Sequence, residues 1–215
     1  LVRSRGLGDV YKRQVQELLA KLVSRRSELP KRVETVGGVD AAYDSHYAYG
    51  AAVLVDYSTL KLVESNGSRM KIQLPYYPTF LAFREVPAIV GAVRKMKRRP
   101  DVILVNGHGV AHPRGCGLAS HIGLMLGIPT IGVAKSRLFG VVRGQRLLDD
   151  SGRVIGLVVR KERGNSRREL FVSIGHKVSL RDAASVVLRC IRNSFPEPLR
   201  LAHEAASRMK RRMRA

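Results

Sequence analysis

Four polar residues stand where apolar stretches begin or end. Asp40 closes Val36-Gly-Gly-Val39, Glu85 ends the segment Pro75-Tyr-Tyr-Pro-Thr-Phe-Leu-Ala-Phe-Arg-Glu85, Asn106 closes Val102-Ile-Leu-Val105, and His203 lies in the last predicted helix. A carboxylate at the end of a buried strand is costly to desolvate unless a cation neutralises it. A divalent metal is the natural candidate, because hard cations such as Mg²⁺ take oxygen ligands. The set reads as a metal-dependent nuclease, with Asn106 standing where a third carboxylate is expected.

The composition agrees with that chemistry. The 215 residues suit one domain, and 45% hydrophobic content is enough for a core. Lys and Arg number 39 against 17 Asp and Glu, a formal net charge of +22. Such a surface favours a polyanion, of which nucleic acid is the first choice. The apolar runs 51–55, 102–105 and 155–159 are strand-length and too short to span a bilayer, so no membrane partner is expected. Cys116 and Cys190 lack metal-type spacing and read as reduced, inert thiols, which fits a cytoplasmic protein.

Those residues have to be positioned by the elements around them. Residues 1–14 show no strand or helix period and read as a non-native leader or a disordered basic arm, leaving 15–215 as a single domain. Val15, Leu18, Leu19 and Leu22 repeat at helical spacing, with Pro30 as the stop. Strand-like runs follow at 35–42, 48–57 and 60–65, the last stopped by Asn66-Gly67, which predicts an antiparallel meander. A helix is expected over 81–96, then an apolar strand at 102–105, a small-residue helix at 118–126 and another apolar strand at 130–134. Runs 154–159 and 169–174 suggest a hairpin around a polar loop at 161–168. Ser179-Leu-Arg-Asp182 predicts a helix start, and a last helix from about Pro198 to Arg212 carries a basic tail. A three-strand meander followed by strands and helices in alternation predicts an α/β, RNase H-like mixed sheet flanked by helices. Asp40 and Asn106 are then neighbours, with Glu85 and His203 reaching in from helices.

At this point the chain resembles the endonuclease V family. The resemblance rests on Gly38-Val-Asp40-Ala-Ala-Tyr43, the 75–85 segment, Asn106-Gly-His-Gly109, Ala111-His-Pro-Arg114, Gly117-Leu-Ala-Ser-His121 and Ile128-Pro-Thr-Ile-Gly-Val-Ala-Lys-Ser136. It implies a DNA-repair hydrolase that needs Mg²⁺, with Mn²⁺ as an alternative, and nicks the second phosphodiester bond 3′ to deoxyinosine. By resemblance Asp40 and position 106 are direct metal ligands, Glu85 and His203 complete a tetrad, and Lys135 helps neutralise the phosphate. Tyr76, stiffened by Pro75 and Pro78, is the wedge that separates the strands while the base is extruded. Tyr77 is expected in the core. Leu81, Gly107, Gly117 and Leu138 surround the base, and His112 and Arg84 contact the DNA backbone; His108 and His121 read as loop and packing residues.

Asn106 departs from the pattern. An amide oxygen can ligate Mg²⁺ without bringing negative charge, so cleavage is expected to be weakened. An engineered substitution, a naturally inactive relative and a naturally compensated variant all remain open. The readings are therefore a Mg²⁺-dependent endonuclease for deoxyinosine-containing DNA, a lesion- or structure-binding protein that cleaves poorly, or a nuclease preferring inosine-containing RNA. A monomer is expected in each case.

Overall fold

The computed structural model describes residues 2–74, 77–163 and 166–213. A helix α1 (Val2–Leu22) precedes the meander β1 (Thr35–Tyr43), β2 (Tyr47–Asp56) and β3 (Leu62–Lys71). Then come α2 (Leu81–Val93), β4 (Val102–Asn106), α3 (Leu118–Leu126) and β5 (Thr130–Ala134). The chain continues through β6 (Val141–Arg143), β7 (Arg146–Leu148), β8 (Val154–Arg163) and β9 (Ser166–His176). It closes with α4 (Leu180–Cys190), the short pair β10 (Ile191–Arg192) and β11 (Phe195–Pro196), and α5 (Glu197–Arg212). One nine-stranded sheet runs in the order β3-β2-β1-β4-β5-β9-β8-β7-β6. β1 pairs antiparallel with β2 and parallel with β4, and β4 pairs parallel with β5, which is the expected mixed sheet.

The wholly apolar runs form the middle of this sheet because both of its faces are covered. On one face Val39, Ile103 and Val105 pack with Val86, Ile89 and Val90 of α2 and with Ile122 of α3. On the other, Val36, Val102 and Leu104 pack with Val186 and Val187 of α4 and Leu199 of α5, while Ala51 and Val53 meet Ala202, Ala205 and Ala206. The start of α4 is capped as its sequence predicts, Ser179 Oγ accepting from the Asp182 N–H at 3.1 Å. The register aligns Val39 of β1 with Val105 of β4. Asp40 and Asn106 therefore follow side by side, and Asn106 pairs in turn with Val133 of β5.

Several expectations about the elements need correction. The first helix covers Val2–Leu22 rather than 15–30, so residues 2–14 are helical; once a turn is nucleated by the apolar stripe at 15–22, extension adds a hydrogen bond per residue at little cost. β3 does not stop at Asn66-Gly67 but pairs through to Lys71. Gly67 lies opposite Ala51 within the paired strand, with the flexible end of the Met209 side chain of α5 over it, so this glycine is a strand residue rather than a turn. The hairpin β6–β7 was not anticipated, since three-residue strands carry too little periodicity to be seen. β8 and β9 also pair through much of the segment read as a polar loop.

The connection from β4 to α3 folds inward. His112 within it is 3% exposed: its Nδ1 accepts from the Arg114 N–H at 3.2 Å, which leaves the proton on Nε2 to be donated to the Thr79 carbonyl at 3.0 Å. Burial pushes this imidazole down to about 4. Between pH about 6.5 and 4 the unfolded chain then binds a proton that the folded chain refuses, so His112 contributes stability that is full above 6.5 and is lost as the pH falls toward 4. Urea unfolding at pH 7 and pH 5 should show a loss of stability at the lower pH that His112→Asn reduces; an identical pH dependence in the variant would contradict this.

A second constraint acts on α5. A Cβ at Gly38 would overlap the Pro198 carbonyl at the start of that helix, so only glycine lets α5 approach β1 this closely. Gly38→Ala should cost about 1–3 kcal/mol by overpacking and shift α5 away from β1. A chemical-denaturation midpoint matching the parent would count against that contact.

Candidate active site at the ends of β1, β4 and β5

Asp40 is the centre of the site. It sits within β1, is 7% exposed, and each carboxylate oxygen is engaged. Oδ1 accepts from the Ala41 N–H at 2.9 Å and from Asn106 Nδ2 at 3.1 Å, while Oδ2 lies 2.8 Å from His203 Nδ1 of α5, which donates to it. The predicted meeting of β1, the end of β4 and the last helix is therefore realised for Asp40, Asn106 and His203, with Asp40 inside β1 rather than at its end.

Glu85 reaches the site from α2 on the opposite face of the sheet. It is 4% exposed and accepts from the Tyr43 hydroxyl at 2.8 Å. Burial pushes its carboxyl up to about 8, opposed by the Tyr43 hydrogen bond, reinforced by the nearby charge of Asp40 and opposed in turn by Arg84. Burial and the Glu85 charge also raise the Tyr43 phenol. Tyr43 was quoted in the sequence motif without a role. The signal was present, since odd and even positions of a strand face opposite sides and position 43 must point away from Asp40 toward α2.

Lys135 follows the end of β5, is exposed, and places its Nζ 4.6 Å from the centre of the Phe195 ring. A cavity of about 350 Å³ opens beside it, and its lining includes Asn106, Lys135, Leu81, Gly107, Gly117 and Leu138. The four residues assigned to the base by resemblance thus border one concave space together with Asn106 and the ammonium-bearing Lys135. Its size falls within the range of small-molecule sites. Pro78 also lines it. Tyr76 and Pro75, assigned to the wedge, lie outside the described residues.

Other assignments sit differently. His112 was expected beside the DNA backbone, yet it is buried with both ring nitrogens engaged inside the protein. Arg84 lies 4.7 Å from the centre of the Tyr43 ring, and its buried Nε has no hydrogen-bond partner among the described residues. Tyr77 is 37% exposed rather than in the core. Phe80 is half-buried, edge-on to Phe83 at 6.2 Å and beneath the Arg114 guanidinium at 4.8 Å. His121 packs edge-on against Phe83 at 5.6 Å, and His108 Nε2 meets the Ser136 carbonyl at 3.0 Å, in keeping with packing and loop roles. Gln16, from the α1 segment, lines the cavity although nothing in its sequence context pointed to it.

The comparisons with known proteins point one way. The family model described as Endonuclease V matches residues 17–204. An Endonuclease V of Thermofilum pendens is 40% identical over 197 residues, 89% of this chain and 84% of the relative, and one of Geotalea uraniireducens is 43% identical over 211 residues, 94% and 89% respectively. Among solved structures, human endonuclease V superposes with a TM-score of 0.86 at 31% identity, covering 96% of this chain and 99% of that one. Endonuclease V of Ciona intestinalis, carrying a D234N substitution and bound to a 23mer DNA containing an inosine followed by a ribo-adenosine, superposes with a TM-score of 0.86 at 28% identity over 96% and 98% of the two chains. By its sequence across nearly the whole length and by its fold, this chain belongs to the endonuclease V family of endonucleases.

Proposed function

We propose that this chain is a Mg²⁺-dependent endonuclease that recognises deoxyinosine in DNA and nicks the second phosphodiester bond on its 3′ side, with cleavage weakened by Asn106. The observation that carries the reading is the convergence of Asp40, Asn106 and His203 beside a cavity that Leu81, Gly107, Gly117 and Leu138 help to line. The inosine-containing DNA in the Ciona intestinalis complex supports the choice of substrate.

The donor set suits Mg²⁺. Asp40, Glu85 and the Asn106 side-chain oxygen are hard oxygen donors, the kind this ion prefers. Among the described residues no group of three His, Cys, Asp or Glu side chains is placed to hold an ion, and beside Asp40 the Asn106 amide oxygen would be the further donor. When bound, the ion would orient water and offset charge on the leaving oxygen. The chain's own residues supply the rest. His203 holds Asp40 in place through Oδ2, Tyr43 holds Glu85, and Lys135 offers a cation to a phosphate oxygen. The cavity receives the base once it has left the stack, at an unstacking cost of a few kcal/mol. The excess of basic residues supplies salt-dependent attraction to the backbone.

Asn106 itself favours a second reading, a lesion-binding protein that cleaves poorly. Its Nδ2 donates to Asp40 Oδ1, so the carboxylate is already partly satisfied without a cation. Replacing it by a carboxylate sets two like charges side by side, which destabilises the site until a cation arrives. Asn106→Asp should therefore show a larger rise in melting temperature on adding Mg²⁺ than the parent does, by the usual linkage of binding to stability. Equal shifts in the two proteins would argue against a metal held at this position.

Activity provides the second test. On matched duplexes with and without one deoxyinosine, Asn106→Asp should nick beside the inosine about 100-fold faster than the parent or more, and Asp40→Ala in that background should abolish nicking. A parent that binds the inosine duplex as tightly as Asn106→Asp but does not cut it supports the second reading. No preference for inosine in either form would refute the choice of substrate.

A further inference from the structure

Thr79, in the loop that follows Pro78 and precedes α2, has φ +69°. A β-branched residue in the left-handed region is an outlier, and such strain persists only where the surroundings over-determine it. They do so here. The Thr79 carbonyl accepts from three side chains: Gln16 Nε2 at 3.0 Å, His112 Nε2 at 3.0 Å and Arg114 Nη2 at 3.1 Å. Its hydroxyl accepts from the same Arg114 nitrogen at 2.6 Å.

The three donors are locked to one another. Gln16 is fully buried; its Oε1 accepts from Arg114 Nε at 2.7 Å and its Nε2 also reaches the Cys116 carbonyl at 3.2 Å. His112 is held in the tautomer that donates to Thr79 because the Arg114 N–H donates to its other nitrogen. One side chain from α1 thus ties the loop before α2 to the loop before α3. Gln16, Thr79, Leu81, His112 and Gly117, drawn from the three tied segments, all border the cavity of about 350 Å³.

From this convergence we propose that Gln16 is a positioning residue: with His112 and Arg114 it latches the Thr79 carbonyl, and so fixes the cavity wall against which an extruded base is selected. A carbonyl has two lone pairs, and three convergent donors saturate it, so the wall cannot drift without breaking several buried hydrogen bonds at once. The latch also joins the segment that follows Pro75-Tyr-Tyr-Pro78 to the receiving cavity, so that displacement of one is felt by the other. The inference rests on the substrate reading above and adds to it how the cavity keeps its shape.

The test is made in the Asn106→Asp background with Gln16→Met, which keeps the volume and removes both hydrogen-bonding ends. The ratio of nicking on inosine to matched duplex should fall about tenfold, as expected for the loss of one or two buried hydrogen bonds. The loss should appear mainly as a higher KM, with kcat within about threefold, and deuterium uptake should rise over residues 77–82. A variant that merely lost stability would lower the amount of active protein without changing the discrimination ratio or KM. Gln16→Glu serves if Gln16→Met fails to fold: it keeps the acceptor for Arg114 but cannot donate to Thr79, and the same two changes are expected. Unchanged discrimination with unchanged uptake in a folded variant overturns the latch. If Asn106→Asp alone shows no preference for inosine, the substrate reading has failed, and the selective role falls with it, before Gln16 is altered.

Discussion

The structure depends on keeping one buried charge solvated by protein. Asp40 lies on a strand covered on both faces, at 7% exposure, where a carboxylate without partners would be prohibitively costly. Its partners come from three places: the backbone of β1 itself, the end of β4 through Asn106, and α5 through His203. Each imposes a structural demand. The parallel β1–β4 register must bring position 106 alongside position 40, and α5 must come close enough for His203 to reach. The glycine at 38 meets the second demand by giving way to the Pro198 carbonyl.

Asn106 alters the electrostatics of this arrangement more than its shape. An amide donor against Asp40 Oδ1 replaces what would otherwise be a repulsion between neighbouring carboxylates. The same exchange removes a negative charge from the group that would attract a cation. Glu85 stands apart from this balance: it is held by Tyr43 on the other face of the sheet, deep enough for burial to raise its carboxyl to about 8. The site therefore divides into a half already satisfied within the protein, around Asp40, and a half whose carboxyl resists ionisation.

Much of this was legible in the sequence because the central strands are continuous apolar runs ended by a single polar residue. That pattern fixes both the strand and the place where its chemistry begins, as at Val102–Asn106. The order of elements was enough to suggest that Glu85 and His203 reach in from helices, but their roles came through family motifs, since a lone acidic residue or histidine on a helix has no distinctive spacing. What escaped detection shares a physical cause. The passage of β3 through Asn66-Gly67 and the hairpin β6–β7 are decided by tertiary packing or by very short pairings, and the extension of α1 by helix propagation beyond its apolar stripe, none of them by local period. Gln16 and Thr79 were invisible for the same reason, because hydrogen bonds between residues 33 to 98 positions apart leave no trace in any local window.

Positions 40, 85 and 106 are proposed to form one oxygen-donor site for a divalent cation beside the cavity proposed for the base. The decisive measurement is anomalous diffraction at the manganese edge on crystals of Asn106→Asp grown with Mn²⁺ and an inosine-containing duplex. A single strong peak is expected between Asp40 and position 106 and within reach of Glu85, with a weaker or absent peak at the same place in the parent chain. A peak elsewhere, or none between these residues in Asn106→Asp, would contradict it.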